Sequence, residues 1–215
     1  MAGIVALIDY GSGNLRSAEK ALIKAAERGG RGLRVLATDD PDVIAKAERI
    51  VLPGVGAFAA CMAALEARPG VIEAMTGAVK ARGAPFLGVC VGMQLLATRG
   101  LEFGETAGLD WIEGDVARLT PAGERAKIPH MGWNSVAARQ GAALFQGLPD
   151  QVHMYFTHSF ALHPARDADL AAQTDHGGPF CAAVIRDNVA GVQFHPEKSQ
   201  GAGARLLTNF LEWRP

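Results

Sequence analysis

Apolar and polar positions follow two different patterns along this chain. Ile4 to Asp9 is an almost wholly apolar run, which predicts a strand buried on both faces. A glycine-containing turn, Tyr10 to Asn14, leads into Leu15 to Arg28. There Leu15, Ala18, Leu22, Ala25 and Ala26 share one side, the spacing of a helix, and Gly29, Gly30 and Gly32 stop it. Leu33 to Ala37, Arg49 to Leu52 and Pro85 to Val89 predict further strands. Ala57 to Glu66, Val71 to Ala81 and Val91 to Thr98 predict helices. This alternation implies a parallel sheet covered by helices on both faces. The second half changes style, with short alternating segments over Asp110 to Ala138. Strands follow at Val152 to Leu162, Leu170 to Thr174, Phe180 to Arg186 and Val189 to Phe194. Gly177-Gly178 and Asp187-Asn188 read as hairpin turns between them, and Ala202 to Trp213 as a final helix. With no repeat, low-complexity tract or linker, the expectation is one α/β domain over residues 1–215. Its sheet is mostly parallel, flanked by helices, with an antiparallel extension.

Composition narrows the function classes. Of 215 residues, 49% are apolar and 20% charged, a globular balance. Lysine plus arginine (21) nearly match aspartate plus glutamate (22), and a net charge of −1 argues against nucleic-acid or anionic-membrane partners. No apolar run reaches the roughly 18 residues of a membrane span. Phe86 to Ala97 comes nearest and is broken by Gly88, Gly92 and Gln94. Met1-Ala2-Gly3-Ile4 does not open a signal peptide. Cys61, Cys90 and Cys181 form neither a C-x-x-C pair nor an even framework, which points to a reducing, cytoplasmic setting.

The sharpest chemical signal is Gly88-Val89-Cys90-Val91-Gly92, between an apolar strand and a helix. This is the pattern of a nucleophile elbow with cysteine as the nucleophile. Glycines two residues to either side leave room for a tight turn, and a helix N-terminus beside the sulfur favours the thiolate. The Val91 N–H would point toward the same place. The alternative is a buried cysteine in a glycine-rich turn. A thiol needs a base and an orienting group. His195-Pro196-Glu197 follows a strand, and extended backbone through Pro196 would put both side chains on one side. Alone it also fits a surface turn. Leu52-Pro53-Gly54-Val55-Gly56 again follows a strand. Val55 or Gly56 could give one oxyanion donor and Val91 the other, or the segment is an ordinary strand-end turn. Gly11-Ser12-Gly13 has Arg16 where a dinucleotide fingerprint needs glycine, so no cofactor is expected. His153, His158 and His163 recur every five residues without a metal-ligand motif, so no metal is expected. Cys61 and Cys181 read as core residues.

Together, Pro53 to Gly56, Gly88 to Gln94 and Gly191 to Glu197, in this order and spacing, resemble the class I glutamine amidotransferases over nearly the whole chain. Within that family, several segments look like the glutaminase subunits of imidazole glycerol phosphate synthases. These are Asp9 to Leu15, Ile128 to Asn134, Tyr155 to Phe160 and Lys198-Ser199-Gln200. Val91, Thr157 and Phe160 are mild departures. The resemblance implies a Cys90–His195–Glu197 triad that hydrolyses L-glutamine through a thioester, with Gln94 and Ser159 at the substrate. It also implies a (β/α)8-barrel cyclase as partner in a heterodimer serving histidine biosynthesis. Asn14, Trp133, Tyr155 and Lys198 are then candidates for the interface or ammonia passage, with structural packing as the other reading. A glutaminase of another synthase, a γ-glutamyl hydrolase and a non-catalytic regulatory subunit remain open.

Overall fold

The near-continuous apolar runs of the first half become parallel strands in the computed structural model, which describes residues 3–29, 32–122 and 126–215. Met1 and Ala2 of the N-terminal segment and Gly30 of the glycine break lie outside the described residues. The strands are β1 (Ile4–Ile8), β2 (Arg34–Thr38), β3 (Arg49–Leu52), β4 (Phe86–Val89), β5 (Arg99–Gly100), β6 (Thr106–Ala107) and β7 (Gly114–Arg118). They continue with β8 (His130–Ala138), β9 (Gln151–His158), β10 (Phe160–Pro164), β11 (Leu170–Asp175), β12 (Pro179–Arg186) and β13 (Val189–Val192). The helices are α1 (Leu15–Gly29), α2 (Pro41–Lys46), α3 (Phe58–Glu66), α4 (Val71–Thr76), α5 (Val91–Gln94) and α6 (Gln200–Glu212).

The main sheet runs β2-β1-β3-β4-β13-β12-β11-β8-β9. Its first five strands are mutually parallel and the rest antiparallel, which gives the expected α/β architecture with its antiparallel extension. Strands β3, β4 and β13 are buried at every residue, as apolar runs covered on both faces must be. A smaller sheet, β10-β7-β5-β6, lies beside it. Helix α1 packs on α6, while α2 and α3 pack on α4.

Three local expectations change. The predicted strand Val152 to Leu162 splits at Ser159, and its halves join different sheets. The predicted helix Val91 to Thr98 stops at Gln94. Beyond it the Leu96 and Ala97 N–H groups bond only three residues back, Thr98 N–H goes to the Gly114 carbonyl, and the carbonyls of Leu95, Leu96 and Ala97 are satisfied by N–H groups from Leu109 to Ile112. The potential at Cys90 is therefore that of a single helical turn, not of a two-turn helix. Helix α2 adds to the predicted elements, although Asp40-Pro41 carries its signal: Asp40 caps the Asp42 N–H at 2.9 Å and proline opens the first turn.

The topology positions the site. Strand β13 lies parallel to β4 with Val192 opposite Val89, so both strands deliver their carboxyl ends to one sheet edge. Behind that edge Phe156 and Phe194 are fully buried with ring centroids 5.7 Å apart. Burying each is worth about 1.5–3 kcal/mol, which seats β9 against the chain that leaves β13.

Candidate active site

Cys90 adopts φ 55° and ψ −113°, a conformation that costs a non-glycine residue about 1–3 kcal/mol. The flanking glycines make it possible. A Cβ at Gly92 would sit 1.9 Å from the Leu52 carbonyl oxygen, and one at Gly88 would sit 2.4 Å from the Gly92 oxygen. The Cys90 N–H donates to the Val192 carbonyl at 2.8 Å, which extends the β4–β13 pairing into the elbow. Residues 105 positions apart in sequence are thereby brought to one place.

His195 is buried, and its backbone N–H donates to Tyr155 on β9 at 2.9 Å. The extended route predicted through Pro196 is replaced by a tight turn over Pro196–Lys198, closed by the Lys198 N–H on the His195 carbonyl at 3.1 Å. That turn swings Glu197 back until Oε1 is 2.8 Å from His195 Nδ1. Ser199 locks the turn: its hydroxyl donates to the His195 carbonyl at 2.7 Å and accepts the Tyr155 N–H at 3.0 Å. Nδ1 therefore carries a proton, and Nε2 is the atom left for chemistry. Nε2 is buried and has no hydrogen-bond partner among the described residues. Burial by itself pushes the imidazolium down. Cys90 and Glu197 outweigh it and hold the ring up at about 9.

This shift links stability to pH. A folded-state value above the ordinary 6.5 contributes stability that is full below 6.5 and disappears as pH rises through about 9. The margin in urea-unfolding stability of wild type over His195→Gln is expected to be widest near about pH 6 and to shrink across that window. A margin independent of pH would contradict an ion-paired ring.

The Pro53–Gly56 segment lies against the elbow, and Val55 and Gly56 line the same cavity as Cys90 and Val91. Val91 N–H donates to the Gly54 carbonyl at 3.4 Å, and Val55 N–H turns to Ser12 Oγ at 3.5 Å. Gly56 sits exposed at φ 109°. Of the expected oxyanion donors, the Val91 and Val55 amides are therefore both engaged in this state. Side chains from the β1–α1 turn hold the segment. Tyr10 donates to the Pro53 carbonyl and Ser12 to the Val55 carbonyl, each at 2.8 Å. The buried Cys61 thiol joins them, 3.2 Å from Ser12 Oγ. Cys181 is a core residue whose thiol burial pushes up to about 12.

A cavity of about 300 Å³ opens over Cys90, His195 and Gln94, with Ser159, His158 and Glu102 also on its wall. It suits a small ligand. A shallower depression of about 650 Å³ beside Arg139 and Trp213 is larger but contains no nucleophile–base pair. Gln94 Nε2 donates to the Phe160 carbonyl at 2.9 Å and to Gln193 Oε1 at 3.0 Å, which leaves its own oxygen for a ligand. Ser159 marks the β9–β10 break, where its carbonyl accepts Leu119 N–H at 2.9 Å. Glu102 joins the site without a sequence signal, because a lone acid in a short loop carries none. Its carboxylate accepts the Phe58 N–H at 2.9 Å, which fixes it at the cavity.

Of the three periodic histidines, His153 and His163 are exposed and only His158 reaches the cavity. His158 Nδ1 must donate to the Phe160 carbonyl (2.9 Å), since a carbonyl only accepts. Its Nε2 then accepts from His130 Nδ1 at 3.0 Å, and His130 Nε2 accepts from Asn134 at 3.2 Å. Burial above all keeps both rings neutral, holding His158 at about 4 and His130 at about 3.

Trp133, Tyr155 and Lys198 form one cluster. The two rings meet edge-on at 6.1 Å, and Lys198 Nζ lies 5.5 Å from the Tyr155 centroid. Trp133 is 47% exposed and Met131, on the same face of β8, 64%. Asn14 is exposed immediately before α1, a helix that itself contacts the Pro196–Lys198 turn.

The sequence pattern of the family described as "Glutamine amidotransferase class-I" matches residues 6–213. The chain is 62% identical over 211 residues to "Imidazole glycerol phosphate synthase subunit HisH" of Caulobacter vibrioides, covering 98% of this chain and 99% of that one. It is 52% identical over 214 residues to the protein of the same name from Agrobacterium fabrum, again covering 98% and 99%. Among solved structures, one titled "Crystal structure of glutamine amidotransferase" superposes with TM-score 0.71 at 18% identity, covering 98% of each chain. A glutamine amidotransferase from Thermotoga maritima gives TM-score 0.63 at 16% identity, covering 99% of this chain and 97% of that one. The structural likenesses concern the fold, and the sequence matches reach further: a cysteine at a strained elbow, facing a buried histidine with its carboxylate, sits in a chain that belongs to the class I glutamine amidotransferase family.

Proposed function

We propose that this chain is the ammonia-producing subunit of an imidazole glycerol phosphate synthase. It hydrolyses L-glutamine to glutamate and ammonia and passes the ammonia to a cyclase subunit. The observation that carries the chemistry is the geometry of Cys90 and His195 on one cavity, with Glu197 held against the far nitrogen of the His195 ring. The Cys90 thiolate attacks the side-chain amide carbon and forms a C–S bond. The carbonyl becomes an oxyanion, which collapses as the C–N bond breaks. Nitrogen keeps the electron pair and takes a proton from His195 Nε2, so ammonia leaves. Water then attacks the thioester carbon while His195 accepts its proton. The C–S bond breaks, sulfur keeps the pair, and glutamate departs. Glu197 holds the ring in the required tautomer throughout. Gln94 oxygen and the Glu102 carboxylate are acceptors suited to the substrate's ammonium group, and Ser159 lines the same cavity. These steps need no cofactor.

The partner reading rests on the 62% identical relative's name and on an exposed apolar face. Met131 and Trp133, flanked by Tyr155 and Lys198, form such a face on β8, which suits docking. The proposed assembly is a cytoplasmic heterodimer with a (β/α)8-barrel cyclase, this chain contributing one amidotransferase domain over residues 1–215. Among the described residues no helix is long and apolar enough to cross a membrane.

Because the Gly54 carbonyl occupies Val91 N–H, glutaminase activity of the isolated chain is expected to be low. Binding of the cyclase with its acceptor ligand is expected to raise kcat about a hundred- to thousandfold, the worth of one recovered oxyanion donor. Coupled assay of glutamate and ammonia with and without partner measures this. Equal rates in both would overturn the partner-gated reading.

A further inference from the structure

Gln193 is fully buried and lies outside the triad chemistry, yet its Nε2 is 3.7 Å from Cys90 Sγ. We propose that Gln193 is a further catalytic residue, which donates a side-chain N–H to the Cys90 sulfur whenever that sulfur carries the electron pair as thiolate. The proposal rests on the reading of Cys90 as the nucleophile.

The direction of the bond follows from a backbone carbonyl. The Phe160 oxygen can only accept, so the Gln94 atom 2.9 Å from it is the amide nitrogen. That same nitrogen is 3.0 Å from the near atom of the Gln193 amide, which must therefore be oxygen. The Gln193 nitrogen is then the end that faces Sγ. His158 donates to the same Phe160 oxygen at 2.9 Å, so both sides of this carbonyl hold the arrangement in one sense. A flipped Gln193 amide would set two oxygens, or two nitrogens, against each other in a site closed to water.

Sulfur carries its pair at two moments: before it attacks the amide carbon, and when the thioester C–S bond breaks and glutamate leaves. A donor to sulfur stabilises the departing thiolate at the second moment. The tetrahedral intermediate gains less, because its charge is on oxygen. Without the donor, thioester breakdown slows more than thioester formation. No reactant beyond glutamine and water is required.

The experiment compares wild type with Gln193→Met, a near-isostere without donors, in complex with the cyclase and its acceptor ligand. The expected result is a kcat about ten- to hundredfold lower, the worth of a hydrogen bond to a charged group. KM is expected to fall as well, and intact-mass spectra of the reacting protein should show the glutamyl thioester building up. Loss of packing alone would lower the folded fraction without accumulating thioester. A folded Gln193→Met protein with unchanged kcat and no accumulated thioester would overturn the inference. A second measurement needs no Gln193 variant: the Gln193 side-chain amide resonances, assigned in the wild-type chain by NMR, are expected to move on Cys90→Ala. If they stay in place, the contact with sulfur is absent and the inference fails. Glutamine hydrolysis that persists in Cys90→Ala would instead refute the nucleophile assignment itself.

Discussion

Cys90→Ala and His195→Ala are each expected to lower kcat for glutamine hydrolysis by about ten-thousand- to a millionfold in the cyclase complex. Groups that act as a unit lose comparable amounts singly and together. The structure supports treating them so: each is buried on one cavity, and the His195 ring is held charged in part by Cys90. Alanine at Cys90 removes the atom that bonds to carbon. Alanine at His195 removes the proton carrier whose Nε2 is left for chemistry beside the departing nitrogen. The double variant should be no worse than the more damaged single one, since the remaining partner has nothing to activate. Glutamine binding, followed by calorimetry, should persist in Cys90→Ala because Gln94 and Glu102 are untouched. Losses that multiply in the double variant would show that the two residues act independently, and the proposed mechanism would fall.

Gly92→Ala is expected to cost about 3 kcal/mol or more of folding stability and most of the activity. The added Cβ would lie 1.9 Å from the Leu52 carbonyl oxygen and 3.3 Å from the Pro53 carbonyl carbon. Both belong to backbone at the end of β3, so no side chain can rotate away, and overpacking of this kind falls at the upper end of known costs. Any relief moves the Pro53–Gly56 segment off the elbow. Gly77→Ala is the control. Its backbone is ordinary (φ −61°) and its Cβ would meet nothing within 4 Å, so its stability should be held or raised by up to about 1 kcal/mol and its urea midpoint should not fall. Matching midpoints for the two variants would show that the elbow tolerates a methyl group, and the glycine requirement would be refuted.

The misplaced elements share a cause. Val91 to Thr98 has helical spacing, and nothing local forbids a second turn. The helix ends because the Thr98 N–H goes to the Gly114 carbonyl, and those of Leu96 and Ala97 reach only three residues back. Val152 to Leu162 reads as one strand although Thr157-His158-Ser159 breaks its alternation, and its division at Ser159 sends the two halves into different sheets. Glu102 illustrates the same limit at the site: a loop carboxylate becomes a cavity wall only because the start of α3 supplies an N–H to hold it. His158 and Gln193 are visible as residues in the sequence, but their roles depend on which groups face them.

Local chemistry determined the strand runs β1, β3 and β4, the glycine-flanked cysteine, the Asp187-Asn188 turn and the family resemblance. Each depends on periodicity or on steric needs within a few residues. Tertiary structure alone decided that β13 pairs with β4 and so brings His195 to Cys90, that a tight turn rather than an extended strand aims Glu197, and that Gly54 occupies the Val91 amide. The physical reason is that a hydrogen bond needs a partner in space. The partners of β13 and of the Val91 amide lie tens to more than a hundred residues away, and the turn that aims Glu197, though closed locally, is tied through Ser199 to Tyr155, 44 residues off, where sequence spacing carries no geometry.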